Sequence, residues 1–170
     1  MIITFVGHGT LHIDENLSSK IVATIKDNII GKENITFYCG GYGDFDNHCA
    51  SICRKLKKEI CSEVVFVTPY ITPSQQAKMK YLIDTKLYDS TVYPPIENAL
   101  PRYAITKRNE WMVSEADLVI AYVSHTYGGA YKTLEYARRK KKTIINLAEK
   151  KSGRDIASLP LVFYSAALKL

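Results

Sequence analysis

Residues 108–147 read RNEWMVSEADLVIAYVSHTYGGAYKTLEYARRKKKTIINL. Within them, Leu118–Val123 is a nearly continuous apolar run, the pattern of a strand covered on both faces. Arg102–Glu115 before it and Ala130–Lys141 after it carry helical patterning, and Thr143–Leu147 is a further short apolar strand. Helix, strand, helix, strand, with strands too apolar to leave either face wet, predicts a parallel sheet between two helical layers.

The same alternation extends toward the N-terminus. Ile2–Val6 reads as a first strand, Leu17–Ile30 as a helix stopped by Gly31, and Ile35–Cys39 as a second strand. Asp46–Ile60 is helical, with Ile52, Leu56 and Ile60 at four-residue spacing, and Val64–Val67 is a third strand. Pro73–Ile83 suits a helix capped by Thr72, because proline is tolerated in a first turn that has no use for its missing N–H. Asp89–Pro95 suits a short strand. Lys150–Gly153 reads as a loop and Leu161–Ser165 as an added edge strand. The whole chain, 1–170, is thus expected to be one α/β domain, Rossmann-like and three-layered, with a mostly parallel central sheet.

Composition narrows the class. In 170 residues, 46% hydrophobic and 24% charged is ordinary for a globular domain and argues against disorder. No apolar run approaches the roughly 20 residues that span a bilayer. The N-terminus lacks the basic flank of a signal peptide, so the expected location is cytoplasmic. Cys39, Cys49, Cys53 and Cys61 lack paired Cys-x-x-Cys spacing, which favours reduced thiols over zinc, although His48, Cys49 and Cys53 share a helix face. No metal and no cofactor is expected. The net charge of +6 concentrates partly in Arg54–Lys58 and Arg138–Lys142. Both runs fall near helix C-termini, where cations complement the dipole, so a nucleic-acid partner is not expected.

Open parallel sheets bind ligands outside the carboxyl ends of their strands. Three loops predicted there stand out: Gly7-His8-Gly9-Thr10, Gly40-Gly41-Tyr42-Gly43-Asp44-Phe45-Asp46, and Ser124-His125-Thr126-Tyr127-Gly128-Gly129-Ala130. Glycines let backbone N–H groups close on a phosphate, and the helix near Ala130 would aim its N-terminus there. Gly7, His8, Gly40, Gly41, Gly43, Gly128 and Gly129 are therefore candidate ligand contacts. Asp44 and Asp46 are candidate acceptors for ribose hydroxyls. The same residues also suit tight turns, Asp46 suits a helix cap, and His8 suits a structural hydrogen bond. Tyr42, Tyr127 and Tyr131 are available to stack on a base. Trp111 suits the core or a dimer contact. No Gly-x-Gly-x-x-Gly fingerprint, Walker lysine motif or Gly-x-Ser-x-Gly elbow is present.

The block from Arg108 to Ala137 resembles the signature half of the SLOG superfamily, which includes the LOG phosphoribohydrolases, DprA-type domains and DUF1273-type proteins. Arg108 and Met112 match the arginine and methionine of the LOG helix. Gly128, Gly129 and Glu135 match Gly-Gly-x-Gly-Thr-x-x-Glu, while Tyr131 and Lys132 replace its Gly-Thr. The region is similar, more loosely, to nucleoside 2-deoxyribosyltransferases.

The resemblance implies Glu135 and Arg108 as catalytic residues of an N-glycosidase. Glu135 would stabilise an oxocarbenium-like state, with Arg108 orienting it or gripping a phosphate. It also adds Tyr131, Lys132 and Thr133 to the ligand-binding set. Against this, Glu135 suits a dipole-stabilised helix residue with Arg108 as a structural ion-pair partner. Two functions follow. One is a binding module that senses or sequesters a nucleotide-like small molecule, favoured by the altered motif; the other is a nucleotide or nucleoside N-glycosidase. A homodimer is expected by analogy with related folds, and no membrane association.

Overall fold

The computed structural model describes residues 1–148. The loop expected at Lys150–Gly153 and the edge strand at Leu161–Ser165 lie outside the described residues. Six strands alternate with five helices: β1 (Ile2–Gly7), α1 (Glu15–Ile29), β2 (Ile35–Cys39), α2 (Asp44–Leu56), β3 (Ser62–Val67), α3 (Pro73–Asp84), β4 (Ser90–Val92), α4 (Ala104–Glu115), β5 (Leu118–Tyr122), α5 (Gly128–Arg139) and β6 (Thr143–Asn146). Every strand pair is parallel, in the order β4-β3-β2-β1-β5-β6. The expected architecture is present, and the sheet is wholly parallel over the described residues.

Strand alternation sorts the core into two layers. Ile3, Phe5, Phe37, Cys39, Val64, Phe66, Leu118 and Ile120 face α1, α2 and Leu82 of α3. On the other face Val6, Val119 and Ala121 meet Val113 of α4 and Leu134 and Ala137 of α5. Val65 and Val67 meet Met112, with Trp111 packed alongside. Trp111 also stacks on Tyr38, ring centroids 5.4 Å apart.

Local chemistry sets the helix ends. The Asp14 carboxylate caps α1 by accepting from Leu17 N–H at 2.7 Å, and Gly31 follows the helix with a φ of +70°. Ile21 and Ile25, one turn apart, are fully buried. Truncating either to alanine removes a transfer term and leaves a cavity, a loss of about 2–5 kcal/mol. Thr72 caps α3, with Pro73 in its first turn, as the sequence implies. The segment expected as a strand over Asp89–Pro95 is shorter, because only Ser90–Val92 pair with β3. Asp89 instead turns its carboxylate onto Val64 N–H at 2.8 Å and onto Lys57. Among the described residues, no helix is long and apolar enough to cross a membrane.

Candidate ligand site at the carboxyl edge of the sheet

From β1 the chain winds outward through β2, β3 and β4, then returns to lay β5 on the other side of β1. The loops leaving β1 and β5 therefore diverge, which opens a crevice at their carboxyl ends. His8 Nε2 ties these loops together at Ser124: it accepts from the Ser124 N–H at 3.0 Å and lies 3.2 Å from the Ser124 Oγ. Accepting there requires a neutral imidazole with its proton on Nδ1. Burial, and then the neighbouring His125, lower the His8 pKa from its ordinary value, in keeping with that neutral form.

The second glycine loop is closed by the chain itself. Gly41 and Gly43 have φ values of +68° and +87°, a conformation that glycine adopts without a Cβ penalty. Asp46 folds back from the first turn of α2, and its carboxylate accepts from Gly40 N–H at 3.1 Å and from Gly41 N–H. Helix α2 starts at Asp44 with Gly43 in the cap position, so Asp46 braces the preceding loop rather than capping its helix. Burial raises the Asp46 pKa; the Gly40 N–H, the Arg108 charge and the Gly41 N–H oppose that rise. Asp44 is also engaged. Its backbone N–H donates to Gly9 O at 2.9 Å, and its carboxylate accepts from Leu11 N–H at 2.9 Å. Both aspartates expected to meet a ribose thus have backbone partners.

Arg108, on the inward face of α4, is 1% exposed. Its Nη1 donates to Val67 O at 3.2 Å, and its guanidinium carbon lies 5.2 Å from the Tyr42 ring centroid. Its Nε is buried with no hydrogen-bond partner among the described residues. Among the described residues no carboxylate closes an ion pair on it, although the charge of Asp46 acts on it from nearby. The structural ion pair expected between Arg108 and Glu135 does not occur among the described residues. Glu135 lies one turn before Arg138 on α5 and pairs with it, Oε1 to Nη1 at 2.7 Å.

A cavity of about 140 Å³ opens beside Arg108, lined in part by Gly7, Gly40, Tyr42, Asp46, Asn109, Gly129 and Thr133. Glu135, His8, Tyr131 and Lys132 are not in its wall. Tyr131 turns partly into the apolar layer beneath α5, and Lys132 is exposed. Gly128 and Gly129 form the first residues of α5, which has no side-chain cap. A Cβ on either would meet open space. Thr133 is buried and donates its hydroxyl to Gly129 O at 3.0 Å. A larger groove of about 620 Å³ lies at the opposite edge of the sheet, between Ile30, Ile35, Ile60 and Cys61. No strand-end loop of the carboxyl edge reaches it.

The metal alternative raised by His48, Cys49 and Cys53 finds these residues engaged otherwise. His48 Nε2 meets Ser18 Oγ at 2.9 Å, and both thiols are buried with pKa values pushed up by desolvation. Among the described residues no cluster of three metal-ligating side chains occurs.

One feature escapes the sequence reading in part. His125 lies between His8 and Tyr127, with ring centroids 3.8 Å and 3.9 Å away and planes within 19° and 15°. His125 Nδ1 also meets Tyr127 O at 3.1 Å. The signal available was an aromatic-rich loop; the pairing with His8 spans more than a hundred residues of chain.

No family profile matches this sequence, and no curated protein does. Solved structures share the fold. DNA processing protein A from Helicobacter pylori, whose single-stranded DNA binding has been described, superposes with a TM-score of 0.55 at 14% identity, over 89% of this chain and 67% of that one. DNA processing protein A from Streptococcus pneumoniae gives 0.54 at 14% identity, over 84% of this chain. This chain spans about half of that protein, 48% of its length. The molybdenum cofactor carrier protein from Chlamydomonas reinhardtii gives 0.50 at 14% identity, over 92% of this chain and 82% of that one.

Proposed function

We propose that this chain is a SLOG-type binding domain that holds a nucleotide-like small molecule in the β1/β5 crevice, as a sensor or a sequestering protein. The observation that carries this reading is Arg108. A guanidinium 1% exposed with an unpartnered Nε, in the wall of a cavity, has hydrogen-bonding capacity that the described residues leave unused. A buried donor without an acceptor costs about 1–3 kcal/mol, and an anionic or hydroxyl oxygen entering the cavity would recover it. Gly129 and the uncapped start of α5 share that wall and add backbone donors and the positive end of a helix dipole. The fold neighbours include one protein that binds single-stranded DNA and one that carries the molybdenum cofactor, which is compatible with ligand binding on this scaffold.

A second reading, cleavage of an N-glycosidic bond, is favoured by one observation: a carboxyl group of raised pKa, Asp46, lines the same cavity. Such a group suits proton transfer to a departing base. Glu135, the carboxylate that the LOG resemblance singles out, is in an ion pair outside the cavity wall.

The test is incubation of the protein with nucleotides and nucleosides, with ligand recovery read by chromatography and binding by calorimetry. Intact ligand bound by the wild type and lost in Arg108→Met is the expected result. Free base released by the wild type, and not by Asp46→Asn, would replace binding with cleavage. No binding of any nucleotide would overturn the proposal.

A further inference from the structure

The three-ring stack beside the crevice lies outside the buried clusters of the described residues. His8, His125 and Tyr127 lie in two surface loops. The rings are nonetheless ordered face to face at 3.8 Å and 3.9 Å. The inner end of the stack is anchored, because His8 accepts from Ser124 N–H. The outer end is Tyr127, which is 70% exposed, so its outer face is open to a further ring. Tyr127 immediately precedes Gly128, where α5 begins, and the next residue, Gly129, belongs to the cavity wall that contains Arg108.

We infer that Tyr127 is the stacking platform for the planar base of the ligand, so that the site takes a nucleoside phosphate rather than a simple sugar phosphate or inorganic anion. The inference rests on the nucleotide-binding reading above and assigns the base to the outside of the site. Size supports the division. A cavity of about 140 Å³ is well below the roughly 300 Å³ at which pockets enclose a whole small-molecule ligand. It suits a phosphate or part of a sugar next to Arg108, which leaves the base beyond the rim. A ring already stacked and oriented loses little freedom when another plane is added, and a phenol keeps its polar group at the edge, which leaves its outer face apolar. Stacking of this kind tolerates any base, so affinity gained here is expected to discriminate weakly among bases.

The experiment is calorimetric titration of the full chain with the four ribonucleoside monophosphates and with ribose phosphate, on wild type, Tyr127→Leu and Tyr127→Phe. The wild type is expected to bind the nucleotides about tenfold more tightly than ribose phosphate, the scale of one base–aromatic contact. Tyr127→Leu removes that advantage and leaves ribose phosphate affinity unchanged, and Tyr127→Phe keeps it. Circular dichroism melting of each variant, unchanged from wild type, accompanies the result. Equal wild-type affinity for nucleotides and ribose phosphate overturns the stacking platform and leaves the Arg108 site standing. So does an advantage that survives in Tyr127→Leu. Failure of every probe to bind overturns both.

Discussion

Nη1 of Arg108 occupies the space where a side chain at position 40 would begin: a Cβ built on Gly40 falls 1.6 Å from it. The glycine at the end of β2 and the arginine of α4 are thus one feature, although 68 positions separate them in the sequence (108 less 40). The absence of a side chain at Gly40 lets the guanidinium pass beneath the loop to Val67 O.

Gly40→Ala is therefore expected to destabilise the fold by about 1–3 kcal/mol through overpacking and to displace Arg108. Urea denaturation measures the first effect. In Gly40→Ala combined with Arg108→Met the clash is gone, so the double variant should lose less than the sum of the singles. Additive losses would mean that the two residues are independent.

Asp46→Asn replaces a carboxylate that accepts from two backbone N–H groups with an amide that has only one acceptor oxygen. One N–H then faces an NH₂ group, and Arg108 loses its nearby negative charge. A loss of about 2 kcal/mol is expected, read as an earlier urea midpoint with unchanged slope. Faster amide exchange at Gly40 and Gly41 should accompany it.

Lowered imidazole pKa values give the acid dependence its sign. His8 and His48 both titrate below their ordinary 6.5, in each case chiefly through burial, with His125 and Lys55 respectively adding to the effect. The folded state thus binds fewer protons than the unfolded state as pH falls below about 6.5, so stability declines there and levels off once both folded-state values are passed. Proton NMR should show the His8 ring titrating below 6.5, with the Ser124 amide shifting along the same curve, since protonation removes its acceptor.

Glu135→Ala should leave nucleotide affinity within about threefold of wild type and cost at most about 0.5 kcal/mol, because its ion pair with Arg138 is half open to solvent. A Glu135→Ala variant that binds ligand but no longer releases base would instead restore this residue to the chemistry.

Thiol counting discriminates the cysteines. Cys39, Cys49 and Cys53 are buried with raised pKa values, and Cys61 is exposed. One thiol per chain should react rapidly with an aromatic disulfide reagent in the native protein, and four after denaturation.

The layers and strand directions were legible because each strand's apolar pattern and each helix's spacing are local signals. The three glycine loops were legible as strand-end features for the same reason. What the loops do with their donors was not. That Asp46 fills the Gly40–Gly41 pair depends on α2 beginning two residues earlier than periodicity suggests. The choice of Arg138 over Arg108 as the Glu135 partner turns on which face of α4 points inward, and Arg108, being charged, reads locally as a surface residue. The His8–His125 stack requires β1 and β5 to be neighbours, which no local pattern specifies.

The carboxylate of Asp46 holds the loop of residues 40–43 before any ligand arrives. A glycine-rich segment would ordinarily be the most disordered part of a vacant site, and its ordering would be charged against affinity. Here that entropy is lost once, when the chain folds, so association can be fast and the loop should have the same shape in the free and occupied protein.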